Sequence, residues 1–523
     1  MSASREKKQR QGAGPSEKAL QAQQQEAARK QKTITYTVIG VVIAVLVAAL
    51  LIWNTGFFQA RATAATVGDT KLTTAELSYY YYSGIRQTYV AYSSYTGFDT
   101  SKPDDEQDYG SGEDTKTYRE FFLESALSDA QQDISRAAEA LKNGHTEAEV
   151  KENLDARVAA VKAQAASYNV SYSAYLQSVF GPYMSTGVYE KMVQRALLAN
   201  LAYTDKGTEL SESYTEADLT AYYDKDDNAD TLDTFTYSYL YFTPADVETK
   251  DADGNDIDQE TIDTKKELAL AEAKSNADEA LASLKGGSSI SSLVSKYKLD
   301  DKNYADHTAS VGSGRINSTF QEKLLELKDG ESALVENGTS GYYVVTFHGR
   351  ERVEAPTKDV RHILALAETT TDENGSVVEP TQEAWDAAKE KIEAIQAEWE
   401  AGDKTEDSFA ALANEKSDDG DGTTGGLYTK IDVDDVYASE FSDWIFTDGR
   451  SVGDTGIVQH SAGDSDSNKY WGYHFMYLVG DNEPLWMRSA RNALTSEALT
   501  SWQEGLNSSC ATNLADGANY LGK

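Results

Sequence analysis

The chain of 523 residues is poor in cysteine, in histidine and in positive charge. Its one cysteine, Cys510, excludes an intrachain disulfide, so the fold must hold together by packing alone. No cysteine stands close after the early apolar run, which argues against a lipid anchor there. Lys and Arg number 48 against 86 Asp and Glu, a formal charge of −38. Residues 1–33 hold eight Lys/Arg and three acids, so the whole negative excess falls beyond them. A phosphate-binding face needs clustered Lys and Arg, and this balance argues against nucleic acid as a partner. Histidines number six, so a histidine inside an apolar strand asks for an explanation.

Long apolar runs are also scarce, with one exception. Residues 34–53, "ITYTVIGVVIAVLVAALLIW", carry no charge and are long enough to cross a hydrocarbon core of about 30 Å as a helix. Arg29, Lys30 and Lys32 flank the run on its N-terminal side. By the positive-inside tendency, residues 1–33 form a basic cytoplasmic tail and the rest lies outside a cytoplasmic membrane crossed once. A cleaved signal peptide is the competing reading, because "ARATAA" at 60–65 offers small residues. The long leading segment and the length of the run favour an uncleaved anchor.

The length allows about two to four domains. "ATVGDTKLTTAELSYYYY" reads as a strand, a Gly-Asp turn, a second strand and a helix opened by Thr73 and Glu76 in capping-box spacing. Residues 60–234 are mainly helical, with a further capped helix at Thr215. The aromatic cluster from Tyr79 to Phe98 is read mainly as core, with a sticky surface for unfolded chains as the alternative. From 235 the chain repeats its order of elements. "FTYSYLYF" and "DVRHILAL" open two units, and each is followed by a long amphipathic helix. Leu270, Ala273, Ala277, Leu281 and Leu284 line the first helix, and Trp385, Ala388, Ile392, Ile395 and Trp399 line the second. A short helix, a glycine-containing turn, a phenylalanine-led helix and a closing strand follow, "GYYVVTF" or "GYHFMYL". This describes two α+β modules, 235–352 and 355–480. A last helix within 484–523 needs a surface, for which the region before 234 is the candidate.

His362 stands in the opening strand of the second module and His474 in its closing strand. If those strands are neighbours and both residues share a face, the imidazoles can hydrogen-bond, directly or through a shared group. A satisfied polar core is the plainer alternative, and a metal site with an aspartate is another. No ligand pair such as His-x-x-x-His supports metal, and no cofactor is expected.

The ordered set "HIL", "FAALA" with "SDD", "GGL", "FSDWIF", "GD" and "GYH" over 355–480 resembles the parvulin-type (PpiC, rotamase) peptidyl-prolyl cis-trans isomerases. The wider layout of 60–523 resembles exported foldases and periplasmic chaperones of bacteria. The implied architecture is α+β: an N-terminal transmembrane helix, a helical chaperone-like domain, two parvulin-like modules and a C-terminal helix. The resemblance implies His362 and His474 as the paired catalytic histidines and Asp419 as the acidic third member, with Asp418 the one-residue alternative. It implies Leu427, Phe441 and Tyr437 as the apolar floor for a proline ring. One departure stands out: "GGLY" at 425–428 replaces the family's Gly-Gly-Asp-Leu-Gly, which leaves the seat of Leu427 open. The implied function is a membrane-anchored isomerase acting on X-Pro segments of unfolded exported polypeptides. A holding chaperone with little or no isomerase activity, and a membrane scaffold, are the competing functions. In the first module Tyr239 and Tyr343 replace the two histidines, His348 falls beyond the closing position and His307 is expected in a loop, so no turnover is expected there.

Overall fold

The computed structural model describes residues 36–45, 47, 55–112, 115–225, 227–250, 253–300, 302–310, 316–371, 377–420, 423–432, 439–462 and 469–523. They fall into two units, one of residues up to Leu210 together with Glu497–Lys523, the other Ser211–Ser496. Residues 36–45 are helical and exposed; the rest of the 34–53 run, except residue 47, lies outside the described residues. Among the described residues no helix is long and apolar enough to cross a membrane.

In the first unit the expected hairpin forms from β1 (Thr63–Val67) and β2 (Thr70–Thr73), and Thr512–Leu514 pairs antiparallel with the other side of β1. Helix α1 (Thr74–Ser83) starts at the capping box: the Glu76 N–H donates to Thr73 Oγ1 (3.2 Å) and the Thr73 N–H donates to the Glu76 carboxylate (2.8 Å). Its Leu77, Tyr80 and Tyr81 pack with Phe98 and with Phe122, Ala126 and Ala130 of α2 (Tyr118–Lys142). Most of the tyrosine-rich stretch is therefore core, while Tyr92 and Tyr95 stay exposed.

The second unit holds two modules of the same topology. The first runs β3 (Thr234–Phe242), α3 (Gln259–Lys285), α4 (Ile290–Tyr297), β4 (Tyr304–Ser310), α5 (Ser318–Glu326), β5 (Ser332–Glu336) and β6 (Tyr342–Glu351). The second runs β7 (Pro356–Leu366), α6 (Gln382–Ala401), α7 (Glu406–Lys416), β8 (Leu427–Ile431), α8 (Ser439–Phe446), β9 (Thr455–Ser461) and β10 (Trp471–Pro484). Their sheets are antiparallel with strand orders β4-β3-β6-β5 and β8-β7-β10-β9. The opening and closing strands are central and adjacent in both. Four strands, β4, β5, β8 and β9, are absent from the sequence expectation. They are short outer strands, and β8 and β9 are half-buried without regular alternation, so they carry little period-two signal.

Strand alternation sends successive residues of β7 and β10 to opposite faces. Ile363, Ala365, Tyr473, Phe475 and Tyr477 pack under α6 and α7 against Trp385, Ile392, Trp399 and Phe409. Each such large apolar side chain contributes about 1.5–3 kcal/mol on burial. Val360, Met476 and Leu478 take the other face and pack against Ile431 and against Phe441, Trp444 and Ile445 of α8.

The register carries the histidine argument. His362 pairs with Met476 and His474 with Leu364, so the two histidines are diagonal neighbours on one face. In the first module Tyr239 pairs with Val345 and Tyr343 with Tyr241, the same diagonal. The phenols therefore stand where the imidazoles stand, with ring centroids 5.5 Å apart. His307 corrects the expectation of a loop position: it lies on β4 opposite Tyr237, the place that Tyr428 takes opposite Val360, and its ring stacks on Tyr239 at 5.8 Å.

Candidate active site

His362 and His474 are buried in the centre of the second sheet, 4% and 3% exposed. Their Nδ1 atoms are 3.0 Å apart, and His362 Nε2 lies 2.9 Å from Asp419 Oδ2. Tyr428 donates to the same carboxylate oxygen (3.1 Å), and the Tyr470 hydroxyl lies 3.2 Å from His474 Nε2. Phe441 closes the floor, edge-on to His362 at 5.4 Å and to His474 at 5.5 Å. These groups line a cleft of about 350 Å³ that also touches Leu364, Leu366 and Asp418.

Local chain chemistry explains how each group arrives. Strand β8 covers β7 only as far as Arg361, so the edge beyond needs another partner. The segment after α7 supplies it: Leu364 N–H donates to Ser417 Oγ (3.0 Å), Asp418 N–H to the Leu364 carbonyl (2.9 Å) and Leu366 N–H to Asp418 Oδ2 (2.9 Å). Asp418 is thereby committed to the strand edge and to Lys391 (2.6 Å), and Asp419 is delivered to the imidazole. Further back on the same edge, His362 N–H donates to the Gly426 carbonyl (2.9 Å). Gly426 has φ 64°, and a Cβ there would lie 2.1 Å from the His362 carbonyl oxygen, so no other residue fits this approach. Arg361 ties the loop down, donating to Glu406 (2.9 Å) and to the Gly425 carbonyl (3.0 Å).

Electrostatics favour neutral imidazole at His474 and a charged Asp419. The hydrogen bond from His362 holds the Asp419 carboxyl below its usual range, against the opposing effect of partial burial. Burial, reinforced by His362 and His460, pushes His474 down to about 3. Asp419 sits on the Nε2 side of His362 and His474 on its Nδ1 side, so the three donors do not converge on one point. Among the described residues no group of three or more His, Cys, Asp or Glu is arranged to hold a metal ion.

The structure brings together His362, His474, Asp419 and Phe441. It does not bring Leu427, which pairs with Arg361 and does not line the cleft; alternation along β8 presents Tyr428 instead. Tyr437 lies outside the described residues. Sequence reasoning missed Tyr428, Tyr470 and a third imidazole, His460. The ring of His460 lies 4.4 Å from that of Tyr470, and its Nδ1 is 3.3 Å from Glu440 Oε2. Tyr428 was accessible by counting one residue past Leu427; nothing in the order of residues marks His460.

The four-stranded sheet thus carries α6 and α7 on one face and, on the other, paired, carboxylate-linked imidazoles over an aromatic floor supplied by α8. Residues 362–464 match the rotamase family, described as the PPIC-type PPIASE domain, so the chain carries a parvulin-type peptidyl-prolyl isomerase domain and is an enzyme of that type. No curated protein matches the chain. Among solved structures it is similar to the peptidylprolyl isomerase PrsA of Bacillus anthracis, with 15% identity, 42% of this chain and 77% of that one covered, and a TM-score of 0.20. It is also similar to the foldase protein PrsA of Streptococcus pneumoniae (12% identity, 61% and 97% covered, TM-score 0.19). A third is a structure described under SurA-like chaperones of Campylobacter jejuni (12% identity, 56% and 82% covered, TM-score 0.16). Scores this low leave the function to the site itself.

Proposed function

We propose that the protein is a membrane-anchored isomerase that accelerates cis-trans exchange of X-Pro bonds in unfolded exported polypeptides. The observation that carries the reaction is the linked His362, His474 and Asp419 cluster over Phe441 in one cleft of an isomerase-type domain. Rotation about X-Pro meets a barrier of roughly 18–20 kcal/mol set by the double-bond character of the C–N bond. A site that holds the ring on Phe441 and suits the twisted amide better than the planar one lowers that barrier without a covalent intermediate. His362, His474 and Asp419 supply oriented dipoles and one fixed charge beside the amide. Anchoring is supported by the uncharged run at 34–53 and its basic flank.

A proline-peptide isomerisation assay on the full chain tests the reaction: the wild type accelerates exchange and His362→Ala loses most of that acceleration. No acceleration by the wild type sinks the reading. For the anchor, protease added to protoplasts should remove the bulk of the chain and leave a short N-terminal fragment; release into the medium with a new N-terminus near Ala65 would show a cleaved signal. A holding role is the second reading, favoured by Val90, Tyr92 and Tyr95, each exposed within one short stretch of the first unit, Tyr95 at 88%. Suppression of client aggregation by a His362→Ala chain would support it.

A further inference from the structure

Tyr428 and Ile431 face the same side of β8, although they are three residues apart. Tyr428 lies opposite Val360 and lines the cleft, donating to Asp419 (3.1 Å) with its ring edge-on to His362 at 5.0 Å. Ile431 lies opposite Lys358 and is fully buried with Val360 and Ile445 under α8. A regular strand changes face at every residue, so an odd separation puts two side chains on opposite sides. The strand meets both demands with a bulge: Thr429 and Lys430 stand where β7 has Asp359 alone. The bulge carries strain, because Lys430 has φ 55°, a left-handed conformation that is costly for a side chain and free for glycine.

We propose that Lys430 and Arg488 are positioning residues of the isomerase site: together they hold the bulge that turns Tyr428 into the cleft. The proposal rests on the isomerase reading and deepens it. Every polar group of Lys430 is engaged. Its N–H donates to Asp359 Oδ1 (2.8 Å), a carboxylate that Asn482 also holds (2.8 and 2.9 Å). Its ammonium pairs with Glu483 (2.9 Å). Its carbonyl accepts from Arg488 Nη1 (2.6 Å), and the same guanidinium pairs with Asp432, the residue just after β8. Arg488 stands in the first turn of α9 (Leu485–Ser508), and its side chain and that of Asp432 are only 20% and 9% exposed. A planar fork bonded to a carbonyl and a carboxylate two residues apart fixes the path of the chain between them. Released from that hold, β8 would return to regular alternation. Ile431 is closed to water and Tyr428 is not, so Tyr428 is the residue that would leave the cleft face.

The consequence for the reaction is local. Without Tyr428, Asp419 loses a donor on the oxygen that faces His362, and the cleft loses one wall beside that histidine. The clamp thereby ties the start of α9 to the strand beside the histidine pair. In the first module, where tyrosines replace both histidines, the matching strand β4 pairs with β3 in unbroken register from Tyr304 to Ser310. The bulge thus goes with the module that carries the histidines.

The test measures kcat/KM on a proline peptide with the full chain, each variant being checked for folding by circular dichroism. Arg488→Gln should lower kcat/KM about fivefold, the scale set by one left-handed residue that has lost its support. Adding Lys430→Gly to that variant removes the strain itself and should raise kcat/KM again by at least about twofold. A loss that came only from a loosened α9 would not respond to a change at Lys430. Lys430→Val leaves Arg488 in place but puts a β-branched side chain at φ 55°, and kcat/KM should fall by about fivefold or more; this variant decides the matter if Arg488→Gln does not fold. Wild-type kcat/KM in folded Arg488→Gln or in Lys430→Val overturns the proposal, as does a loss in Arg488→Gln that Lys430→Gly leaves unchanged. A wild type without isomerase activity fails the isomerase reading and the positioning role with it; an active wild type whose variants turn over unchanged fails this proposal alone.

Discussion

Acid should weaken the second module through His474. Its folded pKa of about 3 lies well below the value of about 6.5 for a free histidine, because a buried imidazole resists charging. Between those values the unfolded chain binds more protons than the folded one, so stability rises with pH. The contribution is complete above pH 6.5 and is lost as pH falls toward 3, at about 1.4 kcal/mol per unit once well inside the window. At pH 5 the loss is roughly 2 kcal/mol, and at pH 3 roughly 4 kcal/mol, against a total of about 5–15 kcal/mol for a typical domain. Asp419 is held below its usual value by His362, so its own contribution starts to fall only below about pH 4 and does not confuse a comparison made at pH 5. Urea unfolding at pH 7.5 and pH 5, read by tryptophan fluorescence, suits the test because Trp385, Trp399, Trp444 and Trp471 all lie in this module. Wild type should lose about 2 kcal/mol more between the two pH values than His474→Gln, in which groups common to both chains cancel. Equal losses in the two chains would refute the assignment of a buried, neutral His474.

Phe441→Ala should lower kcat/KM at least about tenfold with secondary structure kept by circular dichroism, since each 1.4 kcal/mol of lost binding to the twisted state is a factor of ten; unaltered turnover would remove Phe441 from the floor. Gly426→Ala should destabilise the module by about 2 kcal/mol or more in the same urea assay, because it combines a left-handed backbone with a clash on the His362 carbonyl. His362→Ala in the full chain should lose most of the isomerase activity, because the first module offers Tyr239 and Tyr343 at the paired positions; residual turnover near the wild-type level would assign catalysis to that module. Peptides with phosphoserine before proline should turn over no faster than those with alanine, and lysine should be tolerated. Glu368 and Glu383 line the groove that shares Leu366 and Asp418 with the cleft, and no Lys or Arg occurs in 367–380. A faster phosphopeptide at low salt would contradict this reading.

The residues alone were enough to locate the capping box at Thr73 and the helix cap at Thr215, because these depend on neighbours three apart in one turn. They were also enough to find the apolar stripe of α6, whose five named positions are all buried, and the alignment of Tyr239 with His362 and Tyr343 with His474. Each of these is written as a short period or as a repeated order, which a linear string preserves. What folding in three dimensions decided was the choice between neighbours. Asp419 rather than Asp418 meets His362 because Asp418 is consumed by the open edge of β7. Tyr428 rather than Leu427 enters the cleft because the pairing of β8 with β7 sets which residue points inward. His307 became a strand residue, and His460 and Tyr470 joined the site, through contacts between strands β4, β9 and β10 and their partners. Register and edge pairing depend on hydrogen bonds between segments far apart in the chain, and a shift of one residue turns every side chain to the other face. Local pattern carries no record of that shift, so the site's membership was settled only when the sheet closed.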